Sequence, residues 1–176
     1  MSKLIIFDYD GTINETMRIY APATYRAMDW LREQGFSVPQ INDDLISSWL
    51  GMTVEDMWNT FNPDCPKEYV WKAAMMIGDF MAEYIKDGTA KWYSGVTDVL
   101  TRLRKNGWNM VILSNCGPDY AKDNWEHFDM GRWFDKFYPS SDYPGMSKAQ
   151  IVPQILEEYP GAECVVVGDR SSDKSG

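Results

Sequence analysis

The sequence predicts an α/β protein, a parallel sheet flanked by helices and interrupted after its first strand by an all-helical insertion. Three observations predict it. Short apolar runs, the first and last of them ending in acid- and glycine-containing turns, recur at Lys3–Phe7, Trp108–Leu113, Lys136–Pro139 and Glu163–Gly168. Helical patterns at Gly95–Asn106, Asp119–Phe128 and Ser147–Glu158 alternate with the last three runs. Such alternation implies parallel strands joined by right-handed crossovers. Residues 14–94, in contrast, carry helical patterns and no convincing strand.

The first run, Lys3-Leu4-Ile5-Ile6-Phe7, stops abruptly at Asp8-Tyr9-Asp10-Gly11-Thr12. A short β-rich run bounded by a glycine turn reads as a buried parallel strand. Four helices are expected next, at Met17–Gln34, Asn42–Leu50, Thr53–Phe61 and Pro66–Lys86. Thr53 suits an N-cap, with Glu55 and Asp56 in the first turn, and Pro66 suits a helix start. Gly35, Gly51, Asn62-Pro63-Asp64 and Gly88 punctuate them. This segment is rich in large adaptable side chains: Trp30, Trp49, Trp58 and Trp71, with Met28, Met52, Met57, Met75, Met76 and Met81. Most are expected to fill a small bundle core; Met52 and Trp49, beside Gly51, are the two that could face a substrate. Pro153, midway along the last helical pattern, predicts a kink there or a later helix start.

Composition removes several functions. The chain has 176 residues and a net charge of −9, spread as −5 over Asn14–Ser94 and −4 over the remainder. Neither part is basic, so no nucleic-acid partner is expected. No apolar run approaches the ~20 residues that span a bilayer, and Leu4–Phe7 is too short for a signal-peptide core, so no membrane partner is expected. Asn14-Glu15-Thr16 matches a glycosylation sequon but, without a secretion signal, reads as chance. Cys65, Cys116 and Cys164 are odd in number and far apart, which suggests reduced thiols and a cytoplasmic protein. His127 is the only histidine, which excludes a multi-histidine zinc site and leaves a triad unpromising. Catalysis should therefore run on carboxylates, with any metal bound through oxygen.

Ligands of open α/β sheets bind beyond the carboxyl ends of the strands. There the chain places Asp8 and Asp10 after the first strand, and Ser114 and Asn115 after the second. Lys148 opens the helix after the third, and Asp169 and Asp173 follow the fourth. Neighbouring carboxylates repel unless a cation lies between them. A set of hard oxygen donors selects Mg²⁺. Lys148 and the metal would supply the positive charge a phosphate needs, while Ser114 and the amides around Gly11 and Thr12 could hold its oxygens. Each residue alone has a plain reading as a turn former or helix cap; their order along the chain is the specific part.

That order, Phe7-Asp8-Tyr9-Asp10-Gly11-Thr12, then Leu113-Ser114-Asn115, then Lys148, then Val167-Gly168-Asp169-Arg170-Ser171-Ser172-Asp173, resembles the four-motif signature of the haloacid dehalogenase-like hydrolase superfamily. The insertion resembles that superfamily's α-helical cap, Tyr93-Ser94-Gly95-Val96 its return hinge, and the plan its phosphoglycolate phosphatase-like members. The resemblance implies a three-layer Rossmann-like core from residues 1–13 and 95–176, with a helical cap over 14–94 that closes during the first step. It implies a Mg²⁺-dependent phosphatase acting on a small phosphorylated metabolite through an aspartyl-phosphate. Asp8 would be the nucleophile and Asp10 the general acid and base. Ser114 would bind the phosphoryl group, with Lys148 offsetting charge. Asp8, the Asp10 carbonyl and Asp169 would hold the metal, supported by Asp173.

The chain also departs from that pattern. Glu15, in Ile13-Asn14-Glu15-Thr16, stands where relatives often carry Asp. Cys116 after Ser114-Asn115 reads as packing, with oxidation sensitivity as its functional alternative. The sequence stops at Gly176, three residues past Asp173, where the superfamily continues with a helix and a strand. The expectation is a core missing its C-terminal part, with Val165-Val166-Val167 as an exposed apolar edge. The alternatives are a phosphosugar mutase on the same scaffold and an inactive truncated chain. A cysteine phosphatase built on Cys164 and Arg170 is disfavoured because strand sequence separates them. A phospho-acceptor receiver domain lacks such an insertion. A monomer or weak homodimer is expected.

Overall fold

A computed structural model describes residues 2–169. The elements are β1 (Lys3–Phe7), α1 (Met17–Glu33), α2 (Asp43–Trp49), α3 (Val54–Phe61), α4 (Lys67–Lys86), α5 (Val96–Lys105), β2 (Trp108–Ser114), α6 (Pro118–His127), β3 (Lys136–Pro139), α7 (Lys148–Glu157) and β4 (Glu163–Val167). Short 3-10 turns at Met130–Arg132 and Ser140–Asp142 flank β3. The strands form one parallel sheet in the order β3-β2-β1-β4.

The unbroken apolar runs exist because both faces of the sheet are covered. Side chains alternate along a strand. Ile5 and Phe7 of β1 join Met110 and Ile112 of β2 on one face, packed with Leu100 of α5, Met130 and Phe134. Leu4 and Ile6 join Val111 and Leu113 on the other, packed with Ile151 and Ile155 of α7. Helix, sheet and helix thus make the three layers of an α/β core. The central strands are almost sealed, whereas Val165 and Val166 of β4, at the end of the sheet order, are exposed.

The chain divides into two compact units, Met1–Glu15 with Lys91–Gly176, and Thr16–Ala90. Backbone pairing explains why residues 14–15 and 91–93 belong with the sheet. Asn14 bridges to both Asp10 and Trp92. Glu15 N–H donates to Lys91 O at 2.9 Å, and Tyr93 N–H to Ile13 O at 3.0 Å.

The second unit holds α1–α4, with α1 and α4 packed most extensively. Its core gathers Met28, Leu31, Ile46, Trp49, Trp58 and Ile77. Trp49 is 4% exposed and packs on Phe61 with ring centroids 4.8 Å apart, so it serves the core and not a substrate. Met52, in contrast, is exposed. On α4, Val70, Ala73 and Ile77 keep the inward spacing while Trp71 and Met75 fall off that face and are exposed. Asn42 and Thr53 cap α2 and α3 through the amides of Leu45 and Asp56.

Pro153 neither delays nor splits α7, which starts at Lys148 and continues to Glu157. A proline there forfeits one helical hydrogen bond, and burial of Ile151 and Ile155 on either side of it offsets the loss. Pro22 is accommodated the same way in α1, near buried Ile19 and Ala23. No described helix is long and apolar enough to cross a membrane.

Candidate active site

The site grows from the end of β1. Asp8 lies one residue past the strand, and its N–H donates to Val167 O at 2.8 Å, which carries the β1–β4 pairing one step further. Since Phe7 pairs with Val167, parallel register brings Asp8 and Asp169 to the same carboxyl-end edge. The Asp8 side chain is buried and accepts a 2.6 Å ion-pair hydrogen bond from Lys148 Nζ. Lys148 is the first residue of α7, placed by a capping box in which Ser147 and Gln150 satisfy each other's backbone amides. An ammonium group at that distance favours the charged form of a carboxylate.

The next six residues, Tyr9 to Asn14, form a tight turn around the Tyr9 carbonyl. The amides of Thr12, Ile13 and Asn14 all donate to it, at 3.3, 3.0 and 3.0 Å, and Gly11 N–H donates to Asn14 O at 3.1 Å. The Gly11 and Thr12 amides are therefore engaged inside the turn. Gly11 has a φ of +82°, which favours glycine, and a Cβ there would meet Asp169 Oδ2 at 2.6 Å and push that carboxylate aside. The carboxylate of Asp169 thus rests against the loop that carries Asp10. Thr12 Oγ1 is buried with no hydrogen-bond partner among the described residues.

Asp10 receives a donor on each oxygen. Ser114 Oγ, at the end of β2, donates to Oδ2 at 2.9 Å, and Tyr120 Oη, in the first turn of α6, donates to Oδ1 at 2.7 Å. The structure therefore brings Asp8, Asp10, Gly11, Ser114, Lys148 and Asp169 to one edge. Asn115 is exposed, with no side-chain contact to this group to describe. Asp173 lies outside the described residues, as does Arg170. His127 is exposed at the end of α6 and packs edge-on to Phe128.

Sequence reasoning missed a polar network beneath Asp10. Asn14 Nδ2 donates to Tyr120 Oη at 3.1 Å, and Asn124 Nδ2 to Tyr120 O at 2.9 Å. Tyr9 Oη donates to Asn124 Oδ1 at 2.7 Å and accepts from Trp92 Nε1 at 3.1 Å. The available signal was positional: the first turn of a helix that follows a core strand sits at the ligand edge. Burial pushes the Tyr9 and Tyr120 hydroxyls well above their usual range, with the Asp10 charge acting the same way. Both remain proton donors at neutral pH.

The thiols show the opposite of activation. Burial, then the Asp10 charge, pushes the Cys116 thiol up. Burial also raises Cys65 and Cys164. A nucleophilic cysteine needs its pKa lowered, so Cys164, inside β4, is no candidate.

The groups that could hold a metal at this edge are all oxygens: the Asp8 and Asp169 carboxylates and the Asp10 carbonyl. Among the described residues no group of three or more His, Cys, Asp or Glu side chains is gathered for an ion. Mg²⁺ does not need one, because it keeps several waters and takes one or two carboxylates. The donor chemistry, with Asp169 lodged against Gly11 where any side chain would displace it, fits that ion.

The sequence profile of the haloacid dehalogenase-like hydrolases matches residues 5–176, and the chain belongs to that family. It is 20% identical to a phosphoglycolate phosphatase of Vibrio parahaemolyticus, over 97% of this chain and 77% of that protein. It is 22% identical to phosphoglycolate phosphatase 1 of Pseudomonas aeruginosa, over 98% of this chain and 64% of that protein. Among solved structures, a predicted phosphoglycolate phosphatase from Haemophilus somnus superposes with a TM-score of 0.84 at 17% identity, covering 99% of this chain and 80% of the other. At these identities the structural likeness speaks for the fold.

Proposed function

We propose that the chain is a phosphoric monoester hydrolase that releases phosphate from a small phosphorylated metabolite, with Asp8 as nucleophile and Asp10 as proton carrier. The observation that carries this reading is the buried Asp8–Lys148 pair at 2.6 Å, set beside an Asp10 held by two hydroxyl donors. The phosphatase relatives support the substrate class.

The chemistry follows from these groups. In the first step an Asp8 carboxylate oxygen forms a bond to phosphorus and the ester P–O bond breaks. The departing alkoxide takes a proton from Asp10, leaving an aspartyl-phosphate. In the second, Asp10 takes a proton from water as its oxygen attacks phosphorus and frees Asp8. Lys148 holds Asp8 in one orientation and lowers the cost of gathering negative charge. Asp8, Asp169 and the Asp10 carbonyl would hold Mg²⁺. When bound, that ion supplies charge neutralisation for the phosphate and its transition state.

The experiment is phosphate release from a panel of phosphorylated metabolites with Mg²⁺ and with EDTA. The reading expects release from at least one monoester, lost with EDTA. Release that persists without a divalent ion, or none from any monoester, contradicts it.

A further inference from the structure

We infer that Tyr120 is a positioning residue for Asp10: its hydroxyl holds the carboxylate in the orientation from which the proton reaches the leaving oxygen. This rests on the phosphatase reading above and goes beyond it, to a side chain on α6 that none of the site motifs contains.

Tyr120 Oη has a single proton, and Asn14 Nδ2 donates to the oxygen at 3.1 Å. That proton must point elsewhere, and Asp10 Oδ1 lies 2.7 Å away. Ser114 Oγ takes the other carboxylate oxygen at 2.9 Å. Both oxygens of Asp10 are thus tethered by a hydroxyl. The two tethers fix the rotation of the carboxylate plane.

Tyr120 is itself fixed from three sides. Asn124 Nδ2 holds its carbonyl at 2.9 Å, Asn14 holds its hydroxyl, and the Tyr9 ring meets its ring edge-on at 6.3 Å between centroids. Asn124 is in turn held by Tyr9, and Tyr9 by Trp92. The residue between the two catalytic aspartates thus braces the side chain that orients the second. Each of these side chains is held by a hydrogen bond to the next, and proton transfer depends on such placement because reach and angle decide its rate.

The test exploits leaving groups. Alkoxides need the Asp10 proton to depart, whereas p-nitrophenolate leaves without it. Tyr120→Phe removes one hydroxyl and keeps the ring that packs on Tyr9. The measurement is kcat/KM, which reports the first phosphoryl transfer, for an alkyl phosphate and for p-nitrophenyl phosphate. The expected loss on the alkyl phosphate exceeds that on the aryl phosphate by about ten-fold or more. In an Asp10→Asn background, adding Tyr120→Phe is expected to cost nothing further on the alkyl phosphate. Equal losses on both esters, or full additivity with Asp10→Asn, would overturn the assignment and leave Tyr120 a packing residue. Wild-type protein that hydrolyses no phosphate monoester, alkyl or aryl, would overturn the phosphatase reading beneath it, a different failure from either of these.

Discussion

Lys148 and Asp8 stand 140 positions apart in sequence and 2.6 Å apart in space, and their side chains are 14% and 8% exposed. Breaking such a pair from one side leaves a buried charge without its main partner. Lys148→Met should therefore lower stability by about 3 kcal/mol, read as a shift in the urea midpoint. It should also cut phosphate release ~100-fold or more. An unmoved midpoint would mean that Asp8 is adequately solvated without the lysine. At this scale the acidic half of the site was legible, because Asp8, Asp10 and Asp169 each follow closely on a recognisable apolar run. Tyr120, Asn14 and Asn124 were not. Their roles come from hydrogen bonds between residues about a hundred positions apart, and no local pattern encodes those pairings. Ser114 was expected to face a phosphoryl group, and here it donates to Asp10.

Elements translate those residues into geometry. Lys148 reaches Asp8 because α7 begins where it does, and Ser147 with Gln150 sets that start. Ser147→Ala should cost about 1 kcal/mol of stability and lower activity less than Lys148→Met, since the lysine remains but its backbone loosens. Thermal melts and initial rates on the same preparation check this; an activity loss equal to that of Lys148→Met would show that the cap acts by more than placement. Strand ends were readable to within a residue, since a parallel strand covered on both faces is a plain apolar run. The later helix start that Pro153 allowed does not occur, because propensity is local while burial of Ile151 and Ile155 is tertiary. Trp71 and Met75 misled in the other direction: apolar composition does not say which helical face a residue occupies until the inward spacing of Val70, Ala73 and Ile77 is known.

Across the whole molecule, each of two units carries its own apolar core, and the catalytic candidates among the described residues all belong to the sheet-containing one. The family profile reaches from residue 5 to residue 176, in keeping with motifs that were read from both ends of the sequence. The proposed chemistry rests on one covalent event, the transfer of a phosphoryl group to the first aspartate after β1. It is best seen with Asp10→Asn, which lacks the base for the second step, reacted with p-nitrophenyl phosphate and Mg²⁺ and quenched in acid. Peptide mass spectrometry should find one added phosphoryl group on the Leu4–Arg18 tryptic peptide, assigned by fragmentation to Asp8 and absent in an Asp8→Asn control. A phosphoryl group on any other residue, or steady phosphate release from the Asp8→Asn protein, would contradict the account.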